Sequence, residues 1–429
     1  MLLVLALLAV VPSRALAVAV PDAQALMDWA EKAYPAYFPG HPATQTAAPY
    51  TYRFYAGSGN YIGVAGSGVW LLGPVIGSSS TPRYMGELAD FSCQVDAAAC
   101  GDKRLLQAAV GGLTRDFIVY LPYKVSGQTN VPVVFALHGT GGDGEHFFGA
   151  SGWREKADEA GFIVVFPSAL THCFYEDSNE DGQFQPDERQ VTSKWAGGRL
   201  GQPTLRPLCT ADELAALPAA QRAAADHPLA DDMAFFRAMA AQLVQGFGAD
   251  PRRLYVAGFS NGGEMTGRLA TEASTTFAAF AVAAAPAPLG GVVAARPPSL
   301  VYTVGQFDSE IAPKLGYPAG LPMNGTLVAS SVVQASLVQP FLAALQLGIG
   351  TSHSQPTVNG VATSQFLYRN ALGRAGNAFG LVVIGDLDHA YPNGSNHPLR
   401  LADPLWDFFQ GQQLPADSLA ASRRPADRR

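Results

Sequence analysis

A serine hydroxyl, a histidine to take its proton and an acid to hold that histidine form a set that can cleave an ester or amide bond. The stretch Leu254-Tyr255-Val256-Ala257-Gly258-Phe259-Ser260-Asn261-Gly262-Gly263-Glu264-Met265 supplies the first of these. An apolar, β-rich run ends in Gly258-Phe259-Ser260-Asn261-Gly262 and then turns helical, which is the strand-turn-helix setting of a nucleophile elbow. The glycines have a mechanical reason. Strand and helix crowd together at such a turn, so the serine's neighbours must be small if its hydroxyl is to stand clear. Ser260 is the candidate nucleophile, but the pentapeptide alone is weak evidence in a chain with 45 glycines among 429 residues.

The partners must therefore carry the case. Each should follow a strand, in the order Ser, Asp, His. After the apolar run Leu300 to Val304 comes Gly305-Gln306-Phe307-Asp308-Ser309-Glu310, which places Asp308 as the acid. After the run ending at Ile384 comes Gly385-Asp386-Leu387-Asp388-His389-Ala390-Tyr391-Pro392, which places His389 as the base. Glu310 and His397 are rivals of equal chemical ability that sit further from their strand ends. His138-Gly139-Thr140-Gly141-Gly142, following Pro132 to Leu137, matches a loop that supplies an oxyanion amide. The expected donors are the backbone N–H groups of Thr140 and Asn261.

The elements that must position these residues alternate. Strands are expected at Arg115 to Pro122, Pro132 to Leu137, Gly161 to Pro167, Arg253 to Ala257, Ala278 to Val282, Leu300 to Val304 and Phe379 to Ile384. Helices are expected at Trp153 to Ala160, Asp231 to Gly246, Asn261 to Ala270, Ser330 to Leu345 and Leu401 to Phe409. This pattern predicts an α/β fold with a mainly parallel sheet covered on both faces and ligands at the carboxyl ends of its strands, over residues 101–412.

A different texture precedes it. Ala23 to Tyr34 has helical apolar spacing, and two alternating β runs flank Gly57-Ser58-Gly59-Asn60, with a third strand at Val69-Trp70-Leu71-Leu72. Residues 18–92 thus read as a small α+β module. It is similar to a small N-terminal domain of secreted bacterial proteins through Leu26-Met27-Asp28-Trp29-Ala30-Glu31, Tyr34-Pro35, Tyr37-Phe38-Pro39 and Tyr50-Thr51-Tyr52-Arg53, a resemblance that implies no function. Its aromatic residues are read as filling a small core, a polymer-binding face being the other use such a set allows.

From about Arg115 to Gln410 the chain resembles the secreted polyhydroxyalkanoate depolymerase and feruloyl or acetylxylan esterase group of α/β-hydrolases. The resemblance rests on Leu137-His138-Gly139-Thr140-Gly141-Gly142, Gly161 to Pro167, Asp231-Asp232-Met233-Ala234-Phe235, Asp250 to Val256 and Gly258-Phe259-Ser260-Asn261-Gly262-Gly263. It implies the α/β-hydrolase fold and a serine hydrolase acting on carboxylic esters of a polymer. Two positions depart from the group: Val304 stands where a His often precedes Gly305, and Tyr391 where a Trp often follows the base. The alternatives are a non-catalytic polymer-binding protein on the same fold, and a lipase or peptidase.

Between Cys173 and Cys209 lies Asp177-Ser178-Asn179-Glu180-Asp181-Gly182-Gln183-Phe184-Gln185-Pro186-Asp187-Glu188. It fits the twelve-residue calcium loop, with Asp177, Asn179 and Asp181 as side-chain ligands, the Gln183 carbonyl, and Glu188 bidentate. Its flanks do not read as paired helices, so a calcium loop without a full EF-hand is expected. Ca2+ is assigned a structural role, pinning an insertion near the active-site rim where Trp195 and Tyr391 line the substrate pocket; no organic cofactor is expected.

Composition narrows the partners. A net charge of −7 gives no basic footprint for nucleic acid. The apolar run Met1 to Val11 with Ala15-Leu16-Ala17 reads as a signal peptide over 1–17, and no later segment reads as a membrane span. The four cysteines suit an oxidising compartment, with Cys93–Cys100 and Cys173–Cys209 as the expected pairs. Residues 413–429 read as a disordered tail.

Overall fold

The computed structural model describes residues 20–74, 78–95, 101–177, 181, 183–200, 205–206, 209–348, 350–369 and 376–416. The expected signal peptide, Cys100 of the expected Cys93–Cys100 pair and nearly all of the expected tail lie outside these described residues. The chain divides into two compact units, Met1–Asp102 with Pro122–Gly127, and Lys103–Leu121 with Gln128–Arg429.

In the first unit, helix α1 (Ala23–Ala33) starts where the Asp22 side chain accepts the Ala25 N–H, satisfying one orphan donor of its first turn. Five antiparallel strands follow in sequential order: β1 (Gln45–Ala47), β2 (Tyr50–Tyr55), β3 (Asn60–Ala65), β4 (Gly68–Gly73) and β5 (Ser78–Glu87). One face of this sheet, with Tyr55, Ile62, Val64 and Val69, packs on Leu26, Met27 and Ala30 of α1. The fully buried Arg53 guanidinium bonds Asp28 and Glu31 of α1, each at 2.7 Å, and the Tyr55 hydroxyl donates to Glu31.

The second unit is built on one large sheet. Its members are β6 (Asp102–Val110), β7 (Leu113–Leu121), β8 (Val131–Leu137), β9 (Ile163–Pro167), β13 (Ala249–Phe259), β14 (Ala279–Ala283), β15 (Ser299–Gly305), β16 (Thr351–Ser354), β17 (Thr357–Val358), β18 (Val361–Arg369) and β19 (Ala378–Ile384). A small separate sheet holds β10 (Thr171–Glu176), β11 (Arg189–Ser193) and β12 (Leu205–Arg206). The large sheet runs β16-β18-β19-β15-β14-β13-β8-β9-β7-β6, with β17 attached to β18. Strands β19, β15, β14, β13, β8 and β9 are parallel, and β7, β18 and β16 pair antiparallel to their neighbours.

Helices cover both faces. Successive residues of a strand point to opposite faces, so Tyr255 stacks on Phe409 of one layer while Phe135 meets Phe236 of the other. The helices that matter here are α2 (Gly144–Ala150), α3 (Trp153–Ala160), α4 (Asp232–Gly246), α5 (Asn261–Glu272) and α6 (Ala402–Phe409). No helix among the described residues is long and apolar enough to cross a membrane.

The order of strands fixes where chemistry can occur. The chain leaves β8 to one side for β9 and returns on the other side for β13, so the topological switch point lies between β8 and β13. Open parallel sheets bind ligands at the carboxyl ends of the strands beside such a point.

Candidate active site

Ser260 stands at the switch point, between β13 and α5, with φ 52° and ψ −123°. A serine at positive φ is strained and persists only where its surroundings hold it. They do so here: the Ser260 N–H donates to the Ala283 carbonyl of β14, and its own carbonyl accepts the Glu264 N–H. Gly262 shows how tight the turn is, since a Cβ there would come within 2.6 Å of the Leu137 carbonyl oxygen at the end of β8.

Two loops from further strands reach this serine. His389, after β19, has Nε2 at 3.1 Å from Ser260 Oγ. Its Nδ1 lies 3.0 and 3.1 Å from the two carboxylate oxygens of Asp308, which follows β15 and is wholly buried. The Asp308 carboxylate also accepts the N–H groups of Glu310 and Ile311, at 3.0 and 2.8 Å. With its Nδ1–H held by the acid, the imidazole presents Nε2 to the serine as an acceptor.

The acid and base loops are also stitched together. The Phe307 N–H donates to the Leu387 carbonyl, and Asp388 accepts the N–H groups of Ser309 and His389. Those backbone bonds hold the Asp388 carboxyl below its usual range. In the sequence Asp388 reads only as one of two aspartates in a polar loop.

The rivals stand elsewhere. Glu310 is largely exposed, 4.0 Å from Lys314, and only its backbone touches Asp308. His397 is buried, with Nε2 on the Gly385 carbonyl and Nδ1 accepting the Leu399 N–H, so it braces the base loop.

The His138 loop lies directly against the elbow: a Cβ on Gly139 would sit 3.1 Å from the Ser260 Cβ. Asn261 is the first residue of α5, so its N–H belongs to the group of first-turn donors that no helical carbonyl can satisfy. Thr140 is exposed at the tip of the loop, whose next two residues are pinned: the Gly141 N–H donates to the Ser193 carbonyl, and Ser193 Oγ donates to the Gly142 carbonyl. His138 points inward, accepting the Ala169 N–H on Nε2, which leaves Nδ1–H to donate to the Gly139 carbonyl. Burial lowers its pKa to about 4.

Trp195 departs from expectation. It is fully buried and lines no substrate pocket; its indole N–H donates to the His138 carbonyl at 2.9 Å, and its ring packs on His138 and Phe236. Its backbone N–H donates to Asn261 Oδ1 at 2.6 Å, and Asn261 Nδ2 donates back to the Trp195 carbonyl and to Glu264. A buried indole needs a partner for its N–H, and the end of β8 provides one, which draws the ring inside. Trp195 therefore ties the His138 loop to the residue after Ser260.

Tyr391 does line a cleft. The cavity beside the elbow has a volume of about 480 Å³ and is bounded by the loop from Gly139 to Asp143, Phe147, Phe259 and Tyr391. The Tyr391 hydroxyl accepts the Trp153 indole N–H at 2.8 Å.

A strand-turn-helix serine at the switch point of a mainly parallel sheet, followed in the chain by an acid after β15 and a histidine after β19, is the layout of an α/β-hydrolase sheet. The larger unit has the α/β-hydrolase fold. No protein-family model matches the chain. It is 26% identical over 166 residues to feruloyl esterase B of Thermothelomyces thermophilus, a match that covers 38% of this chain and 42% of that protein. The chain thus spans under half the length of that curated relative. Among solved structures it is similar to an acetyl xylan esterase from Aspergillus awamori, 14% identical, covering 72% of this chain and 99% of the other, TM-score 0.41. An S-formylglutathione hydrolase from Agrobacterium tumefaciens gives 16%, 74%, 97% and 0.42 for the same measures. A feruloyl esterase module from Clostridium thermocellum gives 12%, 68%, 83% and 0.33.

The small sheet carries the acidic stretch. Strands β10 and β11 form an antiparallel hairpin in the register Thr171↔Ser193 to Tyr175↔Arg189, so Asp177 and Glu188 both lie just beyond its last pairs, at the turn end. Both carboxylates are buried, Asp181 N–H donates to Asp177, and Gln183 N–H donates to Asp181. Asn179 and Gly182 lie outside the described residues. Cys173 of β10 is bonded to Cys209, with Cα atoms 5.3 Å apart.

Proposed function

We propose that this chain is a secreted serine esterase that removes acyl groups, feruloyl or acetyl, from plant polysaccharide through an acyl-enzyme. The observation that carries this reading is His389 standing within hydrogen-bond reach of Ser260 on one ring nitrogen and Asp308 on the other. His389 Nε2 takes the Ser260 proton as Oγ attacks the ester carbonyl, and the N–H groups of Thr140 and Asn261 bind the oxyanion. The tetrahedral intermediate collapses, breaking the bond to the alcohol oxygen, which receives the proton from His389. Water then repeats the sequence on the acyl group and frees Ser260. Asp308 fixes the ring and stabilises it while it carries charge.

The weak likeness to a feruloyl esterase supports the choice of substrate. The disulfide supports an oxidising compartment. Covalent labelling by a fluorophosphonate tests the chemistry: wild type should label and Ser260→Ala should not. Ferulate release from its methyl ester, compared with hydroxyacid release from a polyhydroxyalkanoate film, tests the substrate; release from the film alone would move the activity to a polyester.

We further propose that Asp177, Asn179, Asp181, Gln183 and Glu188 hold Ca2+. The donor set is all oxygen, as a hard cation requires, and its first and last acids both lie at the turn end of the β10–β11 hairpin. The hairpin ends in Ser193, which pins Gly141 and Gly142, so bound calcium would stiffen the oxyanion loop from outside. Chelation should lower the melting temperature by several degrees, and a midpoint unmoved by chelator removes the proposal.

A further inference from the structure

We infer that the N-terminal sheet carries a docking surface for a neutral polysaccharide, seated in an aromatic slot floored by Gly63. The choice of polysaccharide rests on the esterase reading above; the surface itself rests on strand register.

Alternation sorts the aromatic residues of this unit onto two faces. Tyr55, on the α1 side, belongs to the core. Tyr52 and Phe54 point the other way from β2, Tyr61 from β3 and Trp70 from β4, and none of these four belongs to the packed cluster. They are only partly buried. Their rings gather in two groups: Tyr61 lies 4.4 Å from Phe54 and 5.9 Å from Tyr52, while Trp70 lies 5.1 Å from Tyr84 and 6.3 Å from Tyr50.

Between these groups Gly63 pairs with Tyr52 on one side and Trp70 on the other. A Cβ there would sit 2.9 Å from the Tyr52 Cβ, so the position admits only glycine without displacement of the strand. The missing side chain leaves a slot of about 270 Å³ walled by rings. A sheet that needed only a core on its other face would have no use for such a slot.

The chemistry of the walls selects the occupant. Among the described residues no acidic or basic side chain lines the slot, and the charged cluster of Asp28, Glu31 and Arg53 lies on the α1 side of the sheet. Neither an anionic nor a cationic polymer would find a counter-charge there. A pyranose ring offers a flat C–H face to stack on aromatic rings and hydroxyls that both donate and accept. Tyrosine hydroxyls match both roles, and the rings of Tyr61 and Trp70 supply the stacking surface. An aliphatic polyester supplies acceptors only.

The test uses the full chain carrying Ser260→Ala, so that nothing is hydrolysed, mixed with insoluble xylan and separately with polyhydroxyalkanoate granules. Retention on xylan is expected, weakened by about tenfold or more by Trp70→Ala or Tyr61→Ala, the scale of losing a central aromatic anchor, and largely kept by Trp70→Phe. In the Ser260 background, Trp70→Ala should leave turnover of a soluble ester unchanged, which reports an intact large unit, while the retention kept by Trp70→Phe reports an intact small one. Equal retention of parent and alanine variants, or retention on the polyester alone, overturns the inference. An inactive Ser260 protein that still binds xylan through Trp70 would sink the esterase reading and leave the docking surface standing.

Discussion

In the large unit Trp153 and Trp195 are wholly buried and Trp406 nearly so, each ring or N–H engaged by a neighbour. In the small unit Trp70 lies partly exposed on the face away from α1, although its indole nitrogen is itself buried. The difference follows from layering. A sheet with helices on both faces takes every aromatic side chain inward whichever way the strand alternates, whereas the five-stranded sheet has its helix on one face only. Trp195 is therefore core in one unit, while in the other Trp29 packs on the core and Trp70 sits on the opposite face of the sheet.

The comparison can be broken first where the effect is largest. Ser260→Ala should lower kcat by about 10⁶ and leave the melting temperature no lower than that of wild type, measured on a soluble ester and by calorimetry. Asp308→Asn should lower kcat by about 10⁴, since the amide favours the wrong tautomer of His389. Full activity in that variant would place the acid elsewhere. In the small unit, Ile62→Ala on the core face should cost about 2–5 kcal/mol in a denaturant titration, while Tyr61→Ala beside it on the outer face should stay below about 1 kcal/mol. Equal losses would mean that the outer face is core after all.

A further effect is set by pH. The buried His138 has its pKa lowered from 6.5 to about 4, so between those values the unfolded chain binds a proton that the folded chain refuses. Its contribution is full above pH 6.5 and is lost as pH falls toward 4, amounting to about 3 kcal/mol at most. A stability titration over that window should flatten in part for His138→Gln.

Much of the candidate site could be read in the chain because each member follows an apolar run that ends in glycine or histidine. The runs are buried on both sides, so the strands announce themselves as runs of Val, Ile, Leu and Phe. What escaped notice had a weaker code. Strand β18, Val361–Arg369, carries Thr, Ser and Gln near the sheet edge, and β5 contains Ser78-Ser79-Ser80-Thr81-Pro82, which reads as a loop. The inward turn of Trp195 depends on a carbonyl 57 residues away in sequence. Local pattern contains no information about such a partner. The outer aromatic face escaped for another reason: alternation tells which residues share a face, and only the single helix tells which face is covered.

The backbone of Ser260 carries a consequence for the chain's history. At φ 52° a glycine would sit without strain, so Ser260→Gly should make the protein more stable by roughly 0.5–1 kcal/mol while abolishing its nucleophile. Drift under selection for stability alone would erode this serine early. A lineage that had given up turnover and kept the fold as a mere binding scaffold had every thermodynamic incentive to lose it.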